Sequence, residues 1–288
     1  HSGDSTAVLP PFSITESMIK EIEDKSTTLA KALGVKGLLN IQFAIKDDTL
    51  FILEANPRAS RTMPFVSKVT GNQIIKAGTL LMLGHSLDSI KKTTNYLNSS
   101  TNKVAIKKAI FPWSRFPAED TMLGPEMKAT GEVLGIGKSF GVALNKAYAA
   151  AGVEINKNEK GIFVSLSDQE KPNFIKIVKT YSDLGFKIYS TYGTGEYLKN
   201  NDIHSTIVGR ADETFPTSLT ILQDKLISLV INTPTFANEY TDGWKIRRLS
   251  HETGVAVVSS VREAEAFLKA FLETTKSFED MEAIQNVS

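Results

Sequence analysis

The stretch Phe186-Lys187-Ile188-Tyr189-Ser190-Thr191-Tyr192-Gly193-Thr194-Gly195 decides how the C-terminal half of this chain folds. An apolar strand, Phe186 to Ser190, runs into a Thr-Tyr-Gly-Thr-Gly turn, and a short helix follows. The same order recurs on both sides of it. Upstream, strand Ile162 to Leu166 leads to a helix near Pro172 to Leu184. Downstream come a strand near Ser205 to Val208, a helix near Pro216 to Gln223, the apolar strand Leu226 to Ile231, a helix near Asp242 to His251, strand Val255 to Val258 and helix Val261 to Leu272. Five βα units predict a parallel sheet with helices on both faces. In such a sheet ligands bind beyond the carboxyl ends of the strands.

The N-terminal half reads differently. A short strand at Ala7-Val8-Leu9 precedes Ser13 and Glu16, whose spacing is a capping-box signature for a helix that ends at Gly34. Between Leu38 and Glu54, Ile41, Phe43 and Ile45 alternate with Asn40, Gln42 and Ala44; Asp47-Asp48 then interrupts an apolar run that resumes at Leu50. That pattern is a β-hairpin. A three-residue loop, Asp47-Asp48-Thr49, would place Gln42 opposite Glu54 on one face, whereas a two-residue loop would separate them. Gln73 to Leu83 predicts a second helix, Val104 to Phe111 a strand, and Ser139 to Ala151 a helix closed by Gly152. The charged, Asn-rich run that follows sets a domain boundary at 152, giving domains 1–152 and 153–288.

The 288 residues carry 33 basic and 32 acidic side chains, 41% apolar residues and no cysteine. Near-neutrality gives no general pull toward nucleic acid or an anionic membrane. Residues 1–152 nevertheless hold 18 basic against 13 acidic side chains, and the remainder 15 against 19, so the halves differ in sign. Disulfides, thiolate nucleophiles and Cys-based metal sites are excluded, and the four His show no ligand spacing. No signal peptide and no apolar run of membrane-helix length are read, so the expected location is cytoplasmic. The absence of an initiator Met suggests a piece of a longer chain.

The densest chemistry lies in Gln42, Glu54, Asn56, Arg58 and Arg61. One carboxylate with amide oxygens is a hard donor set suited to Mg²⁺ or Mn²⁺ carried on nucleotide phosphates. Two arginines beside it offer forked donors to phosphate or carboxylate oxygens. The same residues also read as the polar rim of a hairpin edge. Phe111, Trp113 and Phe116 read as core or interface aromatics, and Lys107-Lys108 as a solvated pair.

Several of these segments resemble a known family. His1-Ser2-Gly3-Asp4-Ser5, Asn40-Ile41-Gln42-Phe43, Glu54-Ala55-Asn56-Pro57-Arg58-Ala59-Ser60-Arg61, Pro64-Phe65-Val66-Ser67-Lys68 and Leu123-Gly124-Pro125-Glu126-Met127 are similar, in order and spacing, to the carbamoyl phosphate synthase large subunit. The resemblance implies the C-terminal half of an ATP-grasp α+β module, the second of that subunit, followed by a flavodoxin-like, Rossmann-type five-stranded α/β domain of the methylglyoxal-synthase-like kind. It implies a parent ligase making carbamoyl phosphate from ATP, bicarbonate and glutamine-derived ammonia for pyrimidine or arginine synthesis, with Mg²⁺ or Mn²⁺ and K⁺. Its partners would be the rest of the large subunit, the glutamine amidotransferase small subunit and a nucleotide monophosphate effector, UMP or IMP, with no nucleic acid and no membrane.

Residue by residue, the resemblance makes His1, Ser2, Gln42 and Glu54 ATP-binding; Gln42, Glu54 and Asn56 metal ligands; and Arg58 and Arg61 catalytic holders of the transferring phosphoryl group or carbamate. Ser165, Lys171, Thr191, Thr194, Arg210, Asn232 and Thr233 would surround the effector phosphate. The upstream half of the ATP-grasp site, with its glycine-rich phosphate loop, is not in this sequence, so the fragment alone is expected to be inactive. The alternative is a stand-alone nucleotide-binding regulatory subunit without catalysis. Departures from the family narrow regulation further. Gly209-Arg210-Ala211-Asp212 breaks the Gly-Gly-Asp setting of a methylglyoxal synthase base, Pro234 removes a hydroxyl and an N–H from the phosphate site, and Arg210 replaces the usual lysine. Lys108 and Val257 stand where ornithine-responsive relatives carry an acid and a tyrosine, which argues against ornithine activation even though Asp4 is retained.

Overall fold

The structure, a computed structural model, describes residues 3–11, 13–94, 96, 102–116, 119–153, 161–210, 213, 216–233 and 241–273. His1, Ser2, Asp212 and Pro234 therefore lie outside the described residues. The chain forms two compact units, one of the described residues of His1–Ala7 and Ile106–Ser277, the other of those of Val8–Ala105.

The elements begin with β1 (Ala7–Leu9) and α1 (Glu16–Ala32). The cap of α1 is Thr15, whose Oγ1 accepts the Met18 amide at 3.3 Å, and not Ser13. Glu16 thus opens the helix as an acid near its positive end instead of closing a capping box. Gly34, at φ 62°, follows the last turn as expected of a left-handed C-terminal glycine. The hairpin β2 (Asn40–Lys46) and β3 (Thr49–Asn56) comes next, then α2 (Thr62–Thr70), α3 (Ile74–Met82) and α4 (Leu87–Lys91).

After β4 (Val104–Ile110) comes β5 (Gly131–Gly137), a strand that sequence pattern alone does not reveal, because glycine holds three of its seven positions. Those glycines let α5 (Phe140–Ala150) lie against the strand: a Cβ at Gly135 would sit 2.1 Å from the Ala143 carbonyl oxygen, and one at Gly137 2.7 Å from the Ala143 nitrogen. Together β1, β4 and β5 make a three-stranded sheet.

The remaining elements alternate: β6 (Gly161–Ser165), α6 (Lys171–Asp183), β7 (Lys187–Ser190), α7 (Tyr192–Lys199), β8 (Thr206–Ile207), α8 (Ser218–Gln223), β9 (Leu229–Asn232), α9 (Asp242–Glu252), β10 (Ala256–Val258) and α10 (Val261–Glu273). All five strands are parallel, in the order β10-β9-β6-β7-β8, as the βα alternation predicts. Fully buried Ile162, Phe163 and Val164 of β6 and Val230 and Ile231 of β9 form the middle of the sheet. Each large apolar side chain so buried contributes roughly 1.5–3 kcal/mol. Phe163 and Val230 pack with Ile221, Leu222 and Ile246 into one core cluster. Tyr181, Phe186 and Phe271 form edge-on ring contacts elsewhere in the unit.

Packing does not divide the chain at 152. The helix α5 packs on α10, with Tyr148 edge-on to Phe267 at 4.7 Å, so residues 106–152 belong to the same compact unit as the parallel sheet. Lys107, expected in solvent, is only 3% exposed on β4. Lys108 lays its ammonium 4.1 Å from the centre of the Tyr148 ring. Burial lowers the Lys108 pKa, opposed by the nearby Glu263 carboxylate.

Candidate functional site

The sheet order places a topological switch at β6. The chain moves from β6 to β7 on one side and later returns to β9 on the other, opening a crevice between the carboxyl ends of β6 and β9. Ser165 and Asn232 are direct register partners at those two ends. The Thr233 amide donates to the Ser165 carbonyl at 3.1 Å, and Asn232 Nδ2 donates to the same oxygen at 3.4 Å.

Around this pair the loop after β6 is tied down by threonines. The Leu166 amide donates to Thr194 Oγ1 at 3.0 Å, the Ser167 amide to Thr233 Oγ1 at 2.8 Å, and Thr191 Oγ1 to Thr194 Oγ1 at 3.2 Å. Five of the expected effector residues thus gather on residues 165–167: Thr191 and Thr194 hold that segment at Leu166, and Asn232 and Thr233 hold it at Ser165 and Ser167. The Thr-Tyr-Gly-Thr-Gly segment read as a turn is the start of α7 itself, with Thr191 at its N-cap. Gly195 is required there because a Cβ would fall 2.7 Å from Ser190 Oγ.

Lys171 opens α6, with a side chain only 12% exposed, and its Nζ pairs with the largely solvated Asp168 at 2.6 Å. The ammonium lies 3.8 Å from where a Gly193 Cβ would stand, beside the first turn of α7. A cation and the positive end of a helix dipole therefore converge on one spot, an arrangement that favours an anion between them. Arg210 is exposed, and its backbone is anchored to Glu213: its amide donates to Glu213 Oε2 at 2.9 Å and its carbonyl accepts the Glu213 amide at 3.2 Å.

Arg247 was not foreseen from the sequence. Buried on α9, it donates from Nη1 to Asn232 Oδ1 at 2.7 Å and from Nε to Asp120 Oδ1 at 3.0 Å, with Nη2 on the other Asp120 oxygen. Its partners are 127 and 15 residues away along the chain, and only the Arg-Arg pair in a helix that otherwise reads as polar hinted at it.

In the other unit, the hairpin pairs Gln42 with Glu54 and Asn40 with Asn56, so all four side chains share a face. The expected pairing is present, but not through the expected loop. The turn has two residues, Asp47 and Asp48, at φ 49° and 56°, the double positive φ of a type I′ turn. Near it Lys46 pairs with Thr49 and Phe43 with Ile52, and a register shift between Gln42 and Phe43 then skips Leu53 and brings Glu54 opposite Gln42. A β-bulge supplies the residue that a three-residue loop would have supplied.

Among the described residues the Gln42, Glu54 and Asn56 side chains make no hydrogen bond, and no group of three or more His, Cys, Asp or Glu that could hold a metal ion occurs. The oxygen donors fit a hard divalent cation, but one carboxylate contributes a single negative charge, so phosphate oxygens would have to complete the shell. Arg58 and Arg61 are exposed just beyond β3, and Arg58 Nη1 donates to the Ala59 carbonyl at 3.0 Å.

Two family models match this chain. One, described as carbamoyl-phosphate synthase L chain, ATP binding domain, covers residues 1–90, and the other, described as MGS-like domain, covers residues 173–259. A carbamoyl phosphate synthase large chain from Archaeoglobus fulgidus is 40% identical over 277 residues, 96% of this chain and 25% of that protein. The chain belongs with the C-terminal region of carbamoyl phosphate synthase large chains. Large chains that occur as a separate C-terminal section are similar as well: that of Aquifex aeolicus is 38% identical over 97% of this chain and 54% of its own length, and that of Methanocaldococcus jannaschii 38% over 97% and 46%. The chain thus spans about a quarter to about half the length of these large chains. The crevice at β6 and β9 lies in or beside the MGS-like match, and the hairpin in the ATP-binding match. Among the described residues no helix is long and apolar enough to cross a membrane.

Proposed function

We propose that this chain binds the phosphate of a nucleotide monophosphate effector in the crevice between β6 and β9 and so serves regulation. The reading is carried by one observation: the little-exposed Lys171 ammonium stands beside the first turn of α7, next to a hydroxyl and amide network already assembled from Ser165, Thr191, Thr194, Asn232 and Thr233. An incoming phosphate would replace Asp168 on Lys171 and accept from threonine hydroxyls, and Arg210 at the rim would add a second cation. In this reading 153–288 is the allosteric domain, and UMP or IMP the effector.

The division at 152 is proposed as one of function. Residues 1–152 would be the closing half of an ATP-grasp module that phosphorylates carbamate in a longer enzyme, together with the rest of the large chain and a glutamine amidotransferase subunit. Gln42, Glu54 and Asn56 would hold Mg²⁺ or Mn²⁺ on ATP, with His1 and Ser2 toward the nucleoside, and the metal would neutralise phosphate charge. Arg58 and Arg61 would bind the oxygens of the transferring group. K⁺ and a cytoplasmic setting complete the proposal. The chain by itself is expected to show no turnover of ATP with bicarbonate and ammonia.

Calorimetric titration of the whole chain with UMP and IMP tests the regulatory reading. Binding by at least one nucleotide, weakened about tenfold or more in Lys171→Ala, is expected. Binding that Lys171→Ala leaves intact, or no binding of either nucleotide, overturns it.

A further inference from the structure

A cavity of about 370 Å³ lies within the parallel-sheet unit, away from the β6–β9 crevice. One wall is aromatic: Phe111 and Trp113 stack with ring centroids 5.1 Å apart and planes 17° off parallel, and His251 lies 6.0 Å from Trp113. Ala151 and Val153, just beyond α5, supply an apolar floor, and Lys108 of β4 brings an amine. Because His251 and Glu252 close α9 immediately ahead of β10, the cavity belongs to the amino-terminal side of the sheet, whereas Ser165 and Asn232 stand at the carboxyl ends.

The polar groups around it have a definite balance. Glu252 is already committed to Arg248 Nε at 2.9 Å, and the rest of that guanidinium donates to the Trp113 and Phe116 carbonyls at 2.7 and 2.8 Å. Among the described residues Lys108 makes no ion pair within contact distance; its ammonium rests on the Tyr148 ring, and Glu263 acts on it as a nearby carboxylate. The buried Trp113 indole N–H has no hydrogen-bond partner among the described residues. Burial, then Lys108 and Arg248, depress the His251 pKa to about 4, with Asp120 opposing them, so the imidazole is neutral at pH 7 and sits in a net positive field. Stacked rings, a neutral imidazole and an under-compensated amine suit a flat apolar body ending in an anion.

We propose that this cavity is a second ligand site, for a small organic acid with a planar or aromatic body, distinct from the nucleotide crevice. The body would lie alongside the stacked pair, which has no room between its rings, and the acid would face Lys108. The proposal does not depend on the crevice binding a nucleotide, since no residue is shared.

Benzoate is the probe, with benzylamine as a cation of the same shape and acetate as an acid without the ring. Proton NMR of the whole chain follows the His251 ring resonances. Benzoate is expected to bind at least about tenfold more tightly than benzylamine or acetate and to raise the His251 pKa by about one unit as it adds negative charge nearby. Ala151→Phe, which fills the floor, should abolish the effect, and Val153→Phe serves if that variant does not fold. Lys171→Ala should leave benzoate binding unchanged. Equal binding of benzoate and benzylamine, or benzoate binding that survives a folded cavity-filling variant, overturns the proposal.

Discussion

The crevice at the β6 and β9 ends and the open face of the hairpin are both suited to phosphate oxygens, yet they stand in opposite states of readiness. In the crevice the polar side chains are buried or half-buried and already bonded to one another: Thr194 to the Leu166 amide, Thr233 to the Ser167 amide, Asn232 to Arg247. On the hairpin, Glu54 and the arginines lie in solvent, and the Gln42, Glu54 and Asn56 side chains make no bond among the described residues. A network held in place before the ligand arrives spends little entropy on binding, whereas solvated side chains must be ordered by the ligand or by further chain. If both take phosphate, the first would need no further chain, and the second would be one wall of a larger site. Sequence alone shows the residue types of both and cannot distinguish the two states, because the difference lies in the partners.

The contrast breaks first at Arg247. If the crevice is held together from beneath, Arg247→Met should cost about 3–5 kcal/mol, because Asp120 and Asn232 lose a buried charged partner. Urea denaturation checks this. A loss under 1 kcal/mol would make the network ornamental and the two regions alike.

A smaller effect separates the units by pH. His251 is held neutral, its pKa depressed to about 4 by burial and by Lys108 and Arg248, with Asp120 opposing and Glu252 salt-bridged to Arg248 beside it. Its contribution to stability is complete above the ordinary pKa of 6.5 and is lost as pH falls toward 4, because the unfolded imidazole takes up the proton first. The loss reaches up to about 3 kcal/mol. Denaturation midpoints at pH 7 and pH 4.5 should diverge less in His251→Gln than in the parent chain, and equal divergence would remove His251 from the account.

The smallest effect sharpens the hairpin side. Asp48→Gly gives the type I′ turn the residue it favours at φ 56° and should stabilise the second unit by up to about 1 kcal/mol, relieved strain outweighing the freedom glycine adds to the unfolded chain, read as a small rise in its denaturation midpoint. No change would show that the turn contributes little to that unit.

The parallel sheet was legible because each βα unit repeats one pattern, and its strands are nearly continuous apolar runs. What stayed hidden has specific physical causes. Gly135 and Gly137 conceal β5, since the close approach of α5 leaves no room for the side chains that would have marked a strand. The cap moved from Ser13 to Thr15 because both residues can accept an amide and only backbone geometry chooses between them. Arg247 was missed because its partners are joined to it by the fold and not by spacing. The Gln42–Glu54 pairing follows from the strand pattern, but the structure reaches it by another route: a turn of two residues and a skipped Leu53, instead of a loop of three.

That skipped residue separates two jobs the hairpin could have performed with one. Were alignment set at the turn alone, any change in loop length would slide every residue of β3 past β2 and scatter the oxygen donors onto opposite faces. The offset at Leu53 undoes the turn's own setting: run on unbroken, that register would place Leu53 opposite Gln42 and send Glu54 and Asn56 to the far face, so one unpaired residue is what keeps the four oxygen donors together.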